Sequence, residues 1–307
     1  MGNAVKQVHV RIEDAAHEAA RGAGLEAAPI DHFLRSGEEA WEGSGSEHFT
    51  RAQFQEDMAY TGAVKSALRL LFNSLAELLP EEIRASAPIP ADVIGNRIEP
   101  MVIGLLPQAW RAVAMREILA HLFVLNFPGA QAALDAKLST CDLNGAWRVL
   151  WLMFEDYGLK PEEVAVDCEG MASDYAHVRW SAFEGKDPFS DVVVHEAAHM
   201  LHYLKPAHFD LAVRRGQERF VDVEFRHREL FAYSCEAYSR VVARGGRKDR
   251  MAFAATMLKG ASSFPRAELD ASAPLVLQAA ESRSSWRVIR EAVEIRNPRR
   301  GSRSMPT

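Results

Sequence analysis

The stretch Val192-Val-Val-His-Glu-Ala-Ala-His-Met-Leu201 constrains this chain more than any other. Glu196 is its one formal charge, and valine, alanine, methionine and leucine fill every place that His195, Glu196 and His199 leave. With Ser190 before it as a candidate N-cap and Pro206 after it as a stop, the stretch predicts a helix from Asp191 to about Leu204. A helix that apolar is buried, and buried imidazoles and carboxylates need partners. Residues four apart lie one turn apart on the same helical face, so His195 and His199 can bring two ring nitrogens onto one ion. Glu196 projects about 100° further round the helix, which leaves it free for another task.

His-Glu-x-x-His on a helix is the spacing of a zinc site in which the glutamate serves as general base. Zinc brings the pKa of a water in its open position to about 7, and a carboxylate takes the proton as that water attacks a carbonyl. By residue frequency the bare pattern turns up in on the order of one chain in a hundred of this length, so the apolar setting is what raises it above coincidence. The competing reading is a pair of core histidines satisfied by hydrogen bonds, with Glu196 paired to an arginine. That reading accounts for the setting but not for the spacing.

Zinc acting on a carbonyl takes three protein ligands and keeps one position open. The segment from about Arg226 to Ala243 reads as an amphipathic helix closed by Gly245-Gly246. Its Glu229 and Glu236 are seven apart and share a face, among Leu230, Phe231, Ala232, Cys235 and Ala237. A metal on the neighbouring helix gives them a cationic partner; Arg226, Arg228 and Arg240 are the ordinary alternative. His202 lies on the face of His195 and His199, but one straight helix rarely offers three ligands to a tetrahedral ion. It is expected to touch a ligand or to sit in the core, with direct ligation as the alternative. The metzincin pattern fails, because His202 and Lys205 stand where it needs Gly and His, and Asp210, eleven beyond His199, lacks the wording of an aspzincin ligand. Tyr233, one turn after Glu229, is the first candidate for stabilising a tetrahedral oxyanion, ahead of Tyr238 and His227.

His195-Glu-Ala-Ala-His199 followed by a downstream helical glutamate resembles the gluzincin metallopeptidases. Glu229-Leu-Phe-Ala232 and Glu236-Ala-Tyr-Ser-Arg240 are similar to the second zinc helix of lethal-factor-like and toxin-associated peptidases. The resemblance covers roughly residues 146 to 243. It implies one Zn2+ held by His195, His199 and Glu229, with Glu196 catalytic and Glu236 supporting a ligand. The Asn-Glu-x-x-x-Asp wording of thermolysin-like enzymes is absent, Tyr233 standing four after Glu229, so Glu236 stays open as the alternative ligand.

Around this motif the chain reads as α+β and mostly α. An α-helical region of unnamed chemistry is expected over 1–140, with a polar linker at 36–46 and helices over about 51–79 and 107–125. A zincin-like metallopeptidase domain with a small sheet is expected over 141–296. It comprises a helix capped by Asn144, strands at Val164–Asp167 and His177–Phe183, the two glutamate- and histidine-bearing helices, and two more helices near 248–258 and 284–295. The strand from His177 is expected at a sheet edge, where an extended peptide can pair with it. Residues 297–307 read as a basic disordered tail.

A net charge of -6 argues against nucleic acid as a partner, and no apolar run is long enough for a membrane span. Three cysteines without a CxxC pair and the lack of an apolar leader point to the cytoplasm, with signal-less export as the alternative. The expected activity is hydrolysis of a peptide or protein substrate. The alternative is a non-catalytic helical interaction protein with a structural or vestigial metal site.

Overall fold

The structure is a computed structural model that describes residues 2–38, 51–166, 170–172, 175–213 and 217–294. Most of the expected linker and all of the basic tail lie outside the described residues. The chain is mostly helical with one small sheet. Its helices are α1 (Gly2–Ala23), α2 (Ala28–Ser36), α3 (Arg51–Ala76), α4 (Glu81–Arg84), α5 (Ala91–Leu105) and α6 (Gln108–His121). Strand β1 (Leu122–Leu125) leads to α7 (Phe127–Ser139) and α8 (Leu143–Asp156), then to β2 (Gly170–Ala172), β3 (Ala176–Arg179) and the short α9 (Trp180–Phe183). The chain continues through α10 (Val192–Tyr203), α11 (Arg228–Val242), α12 (Arg247–Met257), α13 (Arg266–Glu281) and α14 (Ser285–Val293). Among the described residues no helix is long and apolar enough to cross a membrane.

The chain divides into two compact units, and not at residue 141. One comprises Met1–Ile89, Phe123–Gly170 and His177–Ser181; the other comprises Pro90–Leu122, Met171–Ala176 and Ala182–Thr307. In the first unit α1 packs on α2 and α3, and α8 packs on α3 and α7. Helix α8 (expected in the metallopeptidase domain) belongs here because Trp147, Leu150, Trp151 and Phe154 are all buried in this core. The indole N–H groups of Trp147 and Trp151 both donate to the Leu34 carbonyl at the end of α2, at 2.9 and 3.0 Å. Gly37 ends α2 with φ 71, and a Cβ there would stand 2.7 Å from the Trp147 ring, so this turn needs glycine twice over.

Several expected elements take another form, each for a local reason. Asp142, not Asn144, caps α8 by accepting from Gly145 N at 2.9 Å; Asn144 instead donates to the Gly37 carbonyl. Leu122–Leu125 leaves the helix expected to run through it and forms β1, a run whose Phe and Val favour a strand. Residues 164–166 form no strand. The strand begun at Ala176 stops at Arg179, because Asp156 accepts from Ser181 N and Ser181 Oγ and turns the chain into α9. The sheet order is β1-β3-β2, so β3 is central. Both of its edges are taken, and it cannot pair with a peptide as expected.

In the second unit α11 packs against α5, α10, α12, α13 and α14. Helix α13 contains Pro274 and α5 contains Pro100, and both go beyond the helices expected from the sequence.

His177 on β3 is fully buried with no hydrogen-bond partner on either ring nitrogen. Burial, then the nearby Lys137 ammonium, push its pKa down to about 3. It is therefore neutral when folded, while the unfolded chain takes up a proton near pH 6.5. Stability is full above pH 6.5 and falls as pH drops toward 3. At pH 4.5 the loss is about 2–3 kcal/mol. The prediction is that His177→Leu loses less stability than wild type by that amount between pH 7 and 4.5 in urea unfolding; equal losses contradict it.

Candidate metal site

The site is built by α10 and α11 of the second unit. Helix α10 is buried from Val192 to His202 except at partly buried His195, as its apolar sequence requires. Ser190 does not cap it. The carboxylate that meets its N-terminus comes from α11: Glu236 Oε1 accepts from Asp191 N at 2.8 Å and from Ser190 Oγ at 2.7 Å. A negative charge there is favoured by the unpaired N–H groups and the helix dipole. The other oxygen of Glu236 lies 3.0 Å from His195 Nδ1. Glu236 itself is buried.

That contact fixes the direction of the His195 ring and leaves Nε2 on the other side. His195 Nε2 and His199 Nε2 are 3.1 Å apart. Glu229 Oε2 lies 3.7 Å from the first and 3.5 Å from the second. A tetrahedral ion at zinc's ligand lengths holds its donors roughly 3.4 Å apart, so the three atoms have the spacing of a shared ion. Among the described residues His195, His199 and Glu229 are the group of this kind that converges closely enough to hold a metal. The alternatives left open by the sequence lie outside the triangle. Glu236 and His202 both lie at Nδ1 atoms, on the far side of the two rings from the triangle, His202 Nε2 being 3.0 Å from His199 Nδ1. Asp210 is not in the cluster.

Glu196 is buried beside this triangle, and its Oε2 has no hydrogen-bond partner. Burial, reinforced by the charges of Glu229 and Glu236 and opposed by His195, raises its carboxyl to about 7. Burial works against a charged His195, but the Glu236 hydrogen bond and the surrounding carboxylates outweigh it and raise the ring to about 9. Glu229 is held down at about 2, chiefly by its hydrogen bond with His199. Burial lowers His199 and takes His202 down to about 4. Three carboxylates, Glu196, Glu229 and Glu236, thus gather about the two rings, with Arg228 Nε 3.3 Å from Glu229 Oε1, and the orphaned Glu196 oxygen lies beside the triangle. Both features suit a bound divalent cation.

The Tyr233 ring meets His195 edge-on, with centroids 4.6 Å apart, and packs on Phe264 at 4.8 Å. Tyr238 is fully buried against Trp286 and belongs to the core. His227 precedes α11 and lies beside Glu224, outside the triangle. The structure adds one residue that the sequence did not single out, Arg97. Buried Asp191 pairs with Arg97 of α5 at 3.5 Å and with Arg240 of α11 at 3.6 Å. Arg97 lies in the half of the sequence that carries no recognisable motif, and its role arises only from the packing of α5 on α10.

The two glutamates are predicted to fail differently. Glu236→Ala strips three partners of their acceptor and costs the metal-free protein roughly 2–4 kcal/mol, with zinc affinity down about 10–100-fold. Glu229→Ala removes a donor from the triangle and lowers zinc affinity further, yet it changes metal-free stability by less than about 1 kcal/mol. Chelator competition and thermal unfolding read both, and the reverse order contradicts the assignment. No protein-family model matches the chain, and neither does any of the curated proteins or solved structures compared with it.

Proposed function

We propose that the chain is a zinc-dependent metallopeptidase of gluzincin type, with a zincin-like domain that acts on a peptide or protein substrate. The observation that carries this is the convergence of His195 Nε2, His199 Nε2 and Glu229 Oε2 at 3.1–3.7 Å with buried, unpartnered Glu196 alongside. These residues fit one Zn2+. When bound, zinc supplies a Lewis acid that polarises the scissile carbonyl and renders the attacking water acidic.

The remaining work falls to side chains. Glu196 takes the proton of the attacking water and returns it to the leaving amine, its Oε2 being buried and without another hydrogen-bond partner. Glu236 keeps His195 turned so that Nδ1 points to the helix-capping carboxylate and Nε2 to the triangle. Tyr233, one turn beyond Glu229, is the donor proposed for the developing oxyanion. A purely structural zinc site is closed by four protein ligands. Here three converge, and the Glu229 side chain is 42% exposed, which favours an open position reached from solvent over the structural alternative.

Two variants test the roles. Glu196→Gln retains zinc and loses peptidase activity on a quenched-peptide library by about 10²–10⁴-fold; cleavage at the wild-type rate contradicts the mechanism. Tyr233→Phe lowers kcat about 10²-fold with zinc content unchanged; an unchanged kcat removes Tyr233 from the oxyanion role.

A further inference from the structure

We propose that His202 is a positioning residue for His199, holding its ring in the tautomer and rotation that the triangle needs. The inference rests on the metal-site reading and deepens it. A histidine that ligates through Nε2 spends that lone pair, so its proton sits on Nδ1. Nδ1–H of His199 then needs an acceptor, because the ring is buried and an unpaired buried donor is costly. His202 Nε2 is 3.0 Å away, itself buried, with the two rings nearly perpendicular at 77°. In that pair His202 is neutral, accepts at Nε2 and carries its own proton on Nδ1.

The two ligand histidines are thus anchored by unlike means. His195 is held from α11 by a carboxylate. His199 is held from within its own helix, by an imidazole three residues on. The i,i+3 spacing places the two rings on neighbouring positions of one face, so this anchor does not depend on how α10 packs against α11. Because His202 Nε2 faces the back nitrogen of His199, it is turned away from the triangle and is not a fourth donor.

The test is Zn2+ affinity by chelator competition, with thermal unfolding of the metal-free protein, for wild type and for His202→Leu, His202→Gln and His202→Asn. Gln places an acceptor oxygen near the position of Nε2; Asn places one near Nδ1. Expected is a loss of about 10–100-fold for Leu and Asn, with Gln within about threefold of wild type and the Gln and Asn variants unfolding alike. The Gln–Asn contrast decides the matter even where the Leu variant fails to fold. A Gln variant as weak as Asn, or a Leu variant as tight as wild type, overturns the positioning role and leaves the metal site standing. A wild-type protein that binds no zinc overturns both.

Discussion

The carboxylate of Glu236 is the contact on which the rest of the site depends. One oxygen accepts from Ser190 Oγ and from Asp191 N at the start of α10, and the other meets His195 Nδ1. A single buried charge therefore closes the N-terminus of one helix, ties it to the next and aims a candidate ligand. An uncompensated buried carboxylate is expensive, and three polar partners are what make this one tolerable. The rotation of His195 is set by the same contact, so the position of Nε2 relative to His199 and Glu229 follows from how α10 is capped.

An apolar helix is an unusual place for ionisable groups, and α10 places them where each has a task. Asp191, buried at its N-terminus, is raised by burial and opposed by Arg97 and Arg240. His195 and His199 turn their Nε2 atoms toward Glu229, and Glu236 and His202 take the Nδ1 atoms. Glu196 keeps one oxygen without a partner. Helices α5, α11 and α10 together supply the charges, and none of the three could hold this arrangement alone.

The convergence of His195 and His199 was legible in the sequence because an i,i+4 spacing puts both rings on one helical face. The choice between Glu229 and Glu236 was not, because residues seven apart share a helical face and only packing against α10 says which reaches the Nε2 atoms. The cap of α10 was misread for a related reason: Ser190 has the chemistry of an N-cap, but the acceptor comes from a helix far along the chain. The fold was read well at its mostly helical class and poorly at its divisions. Pro274 hides α13 behind a helix-breaking residue, β3 is central where an edge was expected, and α8 joins a different core through Trp147 and Trp151.

The most direct measurement is zinc K-edge X-ray absorption, with metal quantitation, on full-length protein purified without chelator. One zinc per chain is expected, with two imidazoles and further light-atom donors at about 2.0–2.1 Å. A chain with no stoichiometric zinc, or zinc bound by sulfur at about 2.3 Å, contradicts it.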